Sequence, residues 1–465
     1  MIVMKFGGTS VEDAPSIERV TEIVRARLHK KPVIVVSAMG KTTRKLLSAV
    51  EASAAGDSRT ALGFLADLKT RHTSEVRRLV QKATGRLAVP LIEQHFDELK
   101  TLFEGLAILG EVPPRGLDKI LAYGELHSSF IVADAMSERG IRTKLMDARE
   151  LIKTDDRYGA ASPLFDLTNQ AILEKVVPVA EQGEVPVVQG FIGSTRDGAT
   201  TTLGFEGSDY TASIIGAALN VEDIQIWKDV PGLMTADPSV FAGARTVKAC
   251  SYAEAADLAF LGAKVLHAKA IYPAATRNIP LHIYNSKQPN ATGTAIGAAV
   301  RSSNLIKSIA YTRPVMLIRA RAETRENGSR EASTDDLLRA LLDTLAKRRA
   351  RALFTAVSGS HVVSALDSRD LKHGGRDLVE SLSPYASASV EPDKAVVSLV
   401  GEELGSDPSA VNRALKALDE TNIGVILHGS SPRSMSFTVE QAEVESVIAR
   451  LHEVFFREVD PREFE

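Results

Sequence analysis

The stretch KFGGTS, residues 5–10, decides the fold of this chain, and it follows the apolar run MIVM at residues 1–4. The apolar run predicts a buried β-strand, and the pair Gly7-Gly8 predicts a tight turn between that strand and a helix. Paired glycines let backbone N–H groups approach an anion, and Lys5 adds a positive point charge. An ordinary turn would also explain the glycines, so a phosphate site here depends on the motifs that follow.

Short apolar runs alternate with helical patterns through about the first 300 residues. Strands are predicted at 33–36, 185–189, 224–227 and 281–284, and helices at 17–28, 210–219 and 252–260. The charged segment 56–111 has a helical period and predicts a helical insertion. Repetition of strand, glycine loop and helix predicts an α/β fold with a mainly parallel sheet, in which ligands gather at the carboxyl ends of the strands.

The last third of the chain has a different pattern. Residues 394–455 predict the order β-α-β-β-α of a ferredoxin-like unit, and a weaker copy runs from residue 309 to about 390. Residues 290–304 are rich in Gly, Ala, Ser and Asn and predict a linker. We therefore predict a catalytic domain at 1–298, a first small unit at 306–390 and a second at 391–465.

Composition excludes several classes of protein. The 465 residues include 56 basic and 59 acidic side chains, a net charge of −3, which predicts no binding to nucleic acid or to an anionic membrane. The single cysteine, Cys250, excludes an internal disulfide framework. The ten histidines show no metal-binding spacing, so no protein-held metal site is predicted. Without a signal-peptide pattern or a long apolar run, we expect a cytoplasmic protein.

Three further motifs carry candidate phosphate chemistry. The segment 190–212 combines glycines and threonines with Ser208, a candidate helix N-cap, and Asp209, a carboxylate able to hold lysines in place. A strand end at Lys228-Asp229 precedes a Pro-Gly turn and an Asp-Pro turn. The last motif places Lys264 just after a glycine, where it could face a nucleotide, although a solvated surface lysine is the commoner case.

Taken together, the motifs resemble those of the aspartate kinases, members of the amino-acid kinase family. The matching pieces, in order, are KFGGTSV from 5, VSAMGKTT from 36, GE at 124–125, TDDRYG from 154, QGFIGS from 189, GSDYTA from 207, IWKDVPG from 226 and LGAKVLHA from 261. The resemblance implies an α/β/α sandwich followed by two ACT domains. It also implies ATP-dependent phosphorylation of the side-chain carboxylate of L-aspartate, with Mg²⁺ held mainly by the ATP phosphates.

The resemblance assigns roles to individual residues. The implied catalytic residues are Lys5 and Asp209. The implied substrate-binding residues are Ser37, Thr43, Glu125, Phe191, Phe205 and Ser208, with Glu125 pairing with the substrate ammonium group. The implied nucleotide-binding residues are Lys5, Gly7, Gly8, Lys228, Asp229, Met234, Ser239, Lys264 and Val265.

The chain departs from the family pattern at the substrate end. The family usually reads LGRGGSD where residues 203–209 read LGFEGSD, so Phe205 replaces an arginine that clamps a substrate carboxylate. Arg157 or Arg196 could supply that charge from another loop. Met234 stands where the family has tyrosine, and Ser239 replaces the arginine of a DPR motif. Two alternatives therefore stay open: a related kinase for another carboxylate, and a weakly catalytic regulatory homologue.

The small units are expected to form a homodimer. In the family an amino-acid effector often binds after the first helix of the first unit, and here that stretch, residues 349–353, carries no acidic side chain. We therefore expect weak or no inhibition by lysine or threonine, and binding of an amino-acid effector stays an open alternative. Strong inhibition by lysine below millimolar concentration would refute this expectation.

Overall fold

The chain folds into two compact units. The first comprises residues 1–233, 248–252 and 265–300, and the second comprises residues 234–247, 253–264 and 301–465. The structure is a computed structural model that describes residues 1–80, 88–204, 206–263, 265–298, 304–323, 333–348, 350–371, 375–402 and 404–465.

The first unit is built on an eight-stranded sheet with the order β3-β4-β2-β1-β7-β9-β10-β8. Its strands are β1 (Ile2–Phe6), β2 (Pro32–Val36), β3 (Thr143–Met146), β4 (Val185–Gln189), β7 (Asp223–Lys228), β8 (Ala249–Ser251), β9 (Leu281–Asn285) and β10 (Thr294–Gly297). Every neighbouring pair is parallel except β9 and β10. The predicted α/β class and the four predicted strands are confirmed.

Helices and a small hairpin surround this sheet. The helices are α1 (Ala14–Arg25), α2 (Thr42–Ala54), α3 (Ser58–Leu79), α4 (Ala88–Leu109), α5 (Pro114–Glu138), α6 (Ala148–Leu151), α7 (Phe165–Glu181), α8 (Gly207–Leu219) and α10 (Ala268–Thr276). The hairpin consists of β5 (Ile192–Ser194) and β6 (Thr200–Thr202). Helices α3 and α4 confirm the predicted helical insertion.

Strand β1 lies inside the sheet because its residues suit burial on both faces. All five residues are buried, and β1 pairs with β2 on one side and β7 on the other. Lys5 is the one charged residue of β1 and is 5% exposed. A buried lysine needs a compensating anion, so the register of β1 already requires a carboxylate near the end of the strand.

The predicted linker at residues 290–304 is wrong over part of its length. Residues Thr294–Gly297 form β10, which pairs antiparallel with β9 and parallel with β8. Thr294 and Ile296 are buried while Ala295 and Gly297 are half-buried, an alternation that the glycine- and alanine-rich composition concealed. The Oγ1 atom of Thr294 also accepts a 2.8 Å hydrogen bond from the Leu233 amide.

The second unit contains a six-stranded antiparallel sheet with the order β12-β13-β11-β14-β16-β15. Its strands are β11 (Ser308–Ala322), β12 (Ala352–Ser358), β13 (His361–Asp367), β14 (Ala386–Val400), β15 (Val425–Leu427) and β16 (Ser434–Glu440). Its helices are most of α9 (Tyr252–Leu261), then α11 (Thr334–Arg348), α12 (Arg376–Leu382), α13 (Pro408–Ala417) and α14 (Val444–Phe456).

The two predicted ferredoxin-like patterns share this one sheet. The order β14-α13-β15-β16-α14 confirms the β-α-β-β-α prediction for the carboxyl-terminal pattern. The weaker copy begins with β11, which pairs antiparallel with β14. Over the described ranges, no helix has both the length and the apolar character needed to cross a bilayer.

Candidate active site

Two lysines converge on one buried carboxylate in the first unit. The Lys5 Nζ atom, at the end of β1, lies 2.5 Å from Asp209 Oδ1, and the Lys228 Nζ atom, at the end of β7, lies 2.9 Å from Asp209 Oδ2. Asp209 lies in the first turn of α8 and its side chain is 1% exposed. The neighbouring strands β1 and β7 bring the two lysines together, and the helix supplies the carboxylate between them.

This cluster keeps its charges in spite of burial. Burial disfavours the Asp209 carboxylate, but the ammonium groups of Lys228 and Lys5 outweigh it and hold the pKa of Asp209 below its ordinary value. Burial also opposes the charge of Lys228, yet Asp209 and Glu206 raise the pKa of Lys228 above its ordinary value. The first unit therefore holds two positive point charges ready at the carboxyl end of its parallel strands, the place where anionic ligands bind in such sheets.

Glu206 is a second carboxylate beside this cluster. Its Oε1 atom lies 3.8 Å from Lys228 Nζ, and its side chain is 19% exposed. Burial raises the pKa of Glu206, and Asp209 raises it further, while Lys228 and Lys5 act in the opposite direction. The carbonyl oxygen of Val265 accepts a hydrogen bond from Lys228 Nζ.

The glycine turn after β1 is packed too tightly for a side chain. A Cβ atom on Gly8 would lie 2.7 Å from the carbonyl oxygen of Ala38. The Gly7 amide donates a 2.9 Å hydrogen bond to the carbonyl of Trp227, and the Ser37 amide donates a 3.1 Å bond to the carbonyl of Phe6. The glycines thus allow the loops after β1 and β2 to approach each other at the same edge of the sheet as Lys5.

Glu125 faces this edge from α5. Its Oε1 atom accepts a 3.1 Å hydrogen bond from the Ala38 amide, while Oε2 is buried and has no hydrogen-bond partner among the described residues. Burial is the main cause that raises the pKa of Glu125 to about 8, although Ala38 and Lys5 act in the opposite direction. A buried carboxylate oxygen without a partner is a place where a cationic group would bind.

The turn between β4 and β5 is pressed against the start of α8. Phe191 has a φ of 71°, a left-handed conformation that is rare for a bulky residue, and its amide donates a 3.0 Å hydrogen bond to Thr211 Oγ1. A Cβ atom on Gly190 would lie 2.4 Å from the Cβ of Ser208. Phe191 and Ser208 are therefore brought together, as an implied pair of substrate-binding residues requires.

Asp118 in α5 holds the loop at Gly159 and the end of β6 through hydrogen bonds. Its Oδ2 atom accepts hydrogen bonds from the amides of Gly159 (3.0 Å) and Thr202 (2.8 Å), and its Oδ1 atom accepts a 2.9 Å bond from the Thr202 hydroxyl. The Ser128 hydroxyl similarly donates a 2.7 Å bond to the Ser37 carbonyl. Helix α5 thus holds several loops that lead to the site.

The structure brings most of the predicted residues to one region of the first unit. These residues are Lys5, Gly7, Gly8, Ser37, Glu125, Phe191, Ser208, Asp209, Lys228 and Val265. Thr43 lies in the first turn of α2, with its Oγ1 atom 3.5 Å from the position of a Cβ on Gly124. Asp229 follows Lys228 and is exposed.

Four of the predicted site residues are not among those that the structure brings together in the first unit. Phe205 and Lys264 lie outside the described residues. Met234 and Ser239 belong to the second compact unit. There the Ser239 hydroxyl donates a 2.6 Å hydrogen bond to Asp237 Oδ1, and the Met234 carbonyl accepts a 2.7 Å bond from Ser308. The roles of all four stay predictions.

The sequence analysis missed Glu206 and Asp118. Glu206 stands where the family pattern LGRGGSD has its first glycine of the pair, and that substitution was the signal that could have identified it. Asp118 matches no short motif, because its partner Thr202 is 84 positions away in the chain.

Comparisons with known proteins agree with this geometry. The amino acid kinase family matches residues 1–285, and an ACT domain matches residues 397–455. The chain therefore belongs to the amino acid kinase family.

Within that family, its full-length relatives are aspartokinases, and the predicted resemblance is confirmed. Aspartokinase 1, chloroplastic, of Arabidopsis thaliana is 32% identical over 98% of this chain and 80% of that protein. Lysine-sensitive aspartokinase 3 of Escherichia coli (strain K12) is 29% identical over 98% of this chain and 99% of that protein. The crystal structure of E. coli aspartokinase III in complex with aspartate and ADP (R-state) superposes with a TM-score of 0.87 at 28% identity, covering 98% of this chain and 100% of that one.

Proposed function

We propose that this protein is an aspartate kinase, which transfers the γ-phosphoryl group of ATP to the side-chain carboxylate of L-aspartate and forms 4-phospho-L-aspartate. The observation that carries the proposal is the Lys5–Asp209–Lys228 cluster at the carboxyl end of the central strands. Relatives named aspartokinases cover the whole chain, which supports this assignment. The product would lead toward lysine, threonine and methionine.

Each part of the site has a role in this reaction. Lys5 and Lys228 neutralise charge on the transferring group, while Asp209 holds both ammonium groups in place so that little reorganisation is needed during transfer. Glu125 receives the α-ammonium group of aspartate through its unpartnered Oε2 atom. The side-chain carboxylate of the substrate is itself the nucleophile, so no general base is required.

The side chains of the described residues suit a Mg²⁺ ion that the phosphates of ATP hold, rather than one that the protein holds by itself. They contain no group of three or more acidic, histidine or cysteine side chains arranged to hold a metal. Both oxygens of Asp209 face lysines. Mg²⁺ prefers to keep several waters and to bind phosphate oxygens, where it would add positive charge to the site.

Acyl phosphate trapping tests the proposal. Purified protein with ATP, Mg²⁺ and hydroxylamine should yield aspartyl hydroxamate from L-aspartate, and a panel of other amino acids and dicarboxylic acids should yield little. Turnover of another acid without aspartate would favour a related kinase, for which the supporting observation is Phe205 in place of the family's clamp arginine. No turnover on any acid would favour a regulatory homologue.

Arg196 is the better candidate to replace the missing clamp arginine. The Arg157 guanidinium already donates to Asp155 (2.6 Å) and to Ser162 (2.5 Å). Arg196 lies in the exposed turn between β5 and β6. We expect Arg196→Ala to raise the aspartate KM about tenfold or more, the size of a lost charged hydrogen bond, and Arg157→Ala to change it less. Steady-state kinetics at saturating ATP would measure both, and an unchanged KM in both variants would refute compensation from these loops.

Dimerisation through the second unit and effector binding belong to the same proposal. The outer strands β12 and β15 leave Val357 and Ile426 about half exposed, and such edges favour pairing with another chain. Sedimentation velocity would contradict the dimer if a single monomeric species persisted at micromolar concentration. Inhibition assays with lysine and threonine test the expected insensitivity.

A further inference from the structure

The Lys228 ammonium group has close acceptors for two of its three N–H donors, and a further carboxylate lies nearby. It donates to the carbonyl of Val265, faces Asp209 Oδ2 at 2.9 Å and faces Glu206 Oε1 at 3.8 Å. An ammonium group has three N–H donors. The 3.8 Å separation is too long for a hydrogen bond, so Glu206 acts on the third N–H donor by charge attraction, and that donor is the one left for a phosphate oxygen.

The backbone of Glu206 is held in a conformation that is unfavourable for glutamate. Its φ of 53° and ψ of 26° lie in the left-handed region, immediately before α8. Glycine, asparagine and aspartate enter this region far more readily than other residues do. The family pattern has glycine here, so this chain keeps a strained and largely buried carboxylate where an unstrained residue without charge would fit. Such strain points to function.

We propose that Glu206 is a positioning residue that holds the Lys228 ammonium group in the ligand-free protein and competes with the nucleotide phosphates for it. Nucleotide binding then becomes tighter when Glu206 turns away from Lys228 or takes up a proton. This inference rests on the proposed function only in assigning Lys228 to the nucleotide.

The competition depends on pH. The charged groups that face Glu206 are Lys228 from β7, Lys5 from β1 and Asp209 from α8. Burial raises the pKa of Glu206. As pH falls through that pKa, Glu206 becomes neutral and Lys228 is released. The carboxylate therefore weakens nucleotide binding most at high pH and least at low pH.

Binding of AMP-PNP, an ATP analogue that cannot donate its phosphoryl group, tests this inference without any acceptor acid. Calorimetry should show that Glu206→Gln lowers the Kd for Mg²⁺–AMP-PNP about two- to fivefold at pH 8, as expected for loss of one competing ion pair. The ratio of wild-type Kd to variant Kd should decrease toward one as pH is lowered through the raised pKa of Glu206. Titration of the phosphates affects both proteins equally and cancels in the ratio.

Two variants separate charge from backbone strain. Glu206→Gly should tighten binding as Glu206→Gln does and should also raise Tm. Asn220→Gly changes another left-handed residue, at the other end of α8, and should leave the Kd unchanged. The proposal is overturned if Glu206→Gln binds within twofold of wild type at every pH or binds more weakly, or if only Glu206→Gly tightens binding. A protein that binds AMP-PNP but phosphorylates no acid would refute the proposed function and leave this inference standing.

Discussion

Replacing Lys5 by methionine is expected to lower kcat about 10²- to 10³-fold, the usual effect of removing one group that stabilises charge in the transition state. Lys5 reaches the site from one of the two central strands of the sheet, and its Nζ atom lies 2.5 Å from Asp209 Oδ1. Methionine keeps the length and the apolar stem of lysine but carries no charge. The transferring phosphoryl group would then lose one of the lysines that neutralise its charge, and the loss should appear in kcat more than in either KM.

The fold should survive this replacement because Asp209 keeps Lys228 as a partner at 2.9 Å. Thermal unfolding of the variant should therefore remain cooperative, with Tm lowered by several degrees for the lost buried ion pair. Lys30→Met, a change at an exposed lysine, is the matched control and should leave kcat unchanged. A folded Lys5→Met protein with kcat within tenfold of wild type would show that Lys5 does not act on the transferring group.

The sequence predicts the frame of this site well because local patterns determine it. The β-branched runs at 33–36 and 185–189 are buried on both faces of a parallel sheet, and such strands carry continuous apolar sequence. Asp209 was recognisable as a first-turn residue because carboxylates favour helix starts. The prediction of Ser208 as the N-cap was wrong, because α8 begins at Gly207 and Glu206 is its N-cap. The position of Lys5 at the end of β1 follows from the same reasoning.

The contacts that determine the charge state of the site are not local. Glu206 lies 3.8 Å from Lys228, which is 22 positions later in the chain, and its backbone adopts a left-handed conformation that glutamate disfavours. Asp118 fastens Thr202 from a helix that lies 84 positions earlier in the chain. Such long-range polar contacts depend on packing, which residue type and spacing do not encode, so sequence patterns could not predict them.

The aspartate KM is expected to fall as pH rises from 6 toward 8, because Glu125 must lose a proton before it can pair with the substrate ammonium group. Burial raises the pKa of Glu125 to about 8, so the ligand-free protein holds this carboxyl mostly protonated at pH 7. Below that pKa, each fall of one pH unit lowers the ionised fraction of Glu125 about tenfold. The apparent KM for aspartate should therefore rise about tenfold per unit as pH falls. Near pH 8 the dependence should flatten.

The stability of the ligand-free protein should also depend on pH through the raised pKa of Glu125. A carboxyl whose pKa is higher in the folded state than in the unfolded state holds its proton more tightly when folded, so its contribution to stability falls as pH rises from about 4.5 to about 8. Aspartate restores a partner to the carboxylate. The increase in Tm produced by aspartate should therefore be larger at pH 8 than at pH 6.5.

Calorimetry in buffers of different ionisation enthalpy would measure the number of protons released when aspartate binds. We expect aspartate binding at pH 7 to release close to one proton, and Glu125→Gln to bind aspartate weakly with no proton release. The range 6.5–8 is the informative one, because burial raises the pKa of Asp134, on the same helix, to about 6. Thr101→Ser, a change on the exposed face of α4, is a control that should keep both KM and proton release. If the wild-type KM stays constant between pH 6.5 and 8, or if Glu125→Gln keeps the same proton release, the ammonium group does not bind at Glu125.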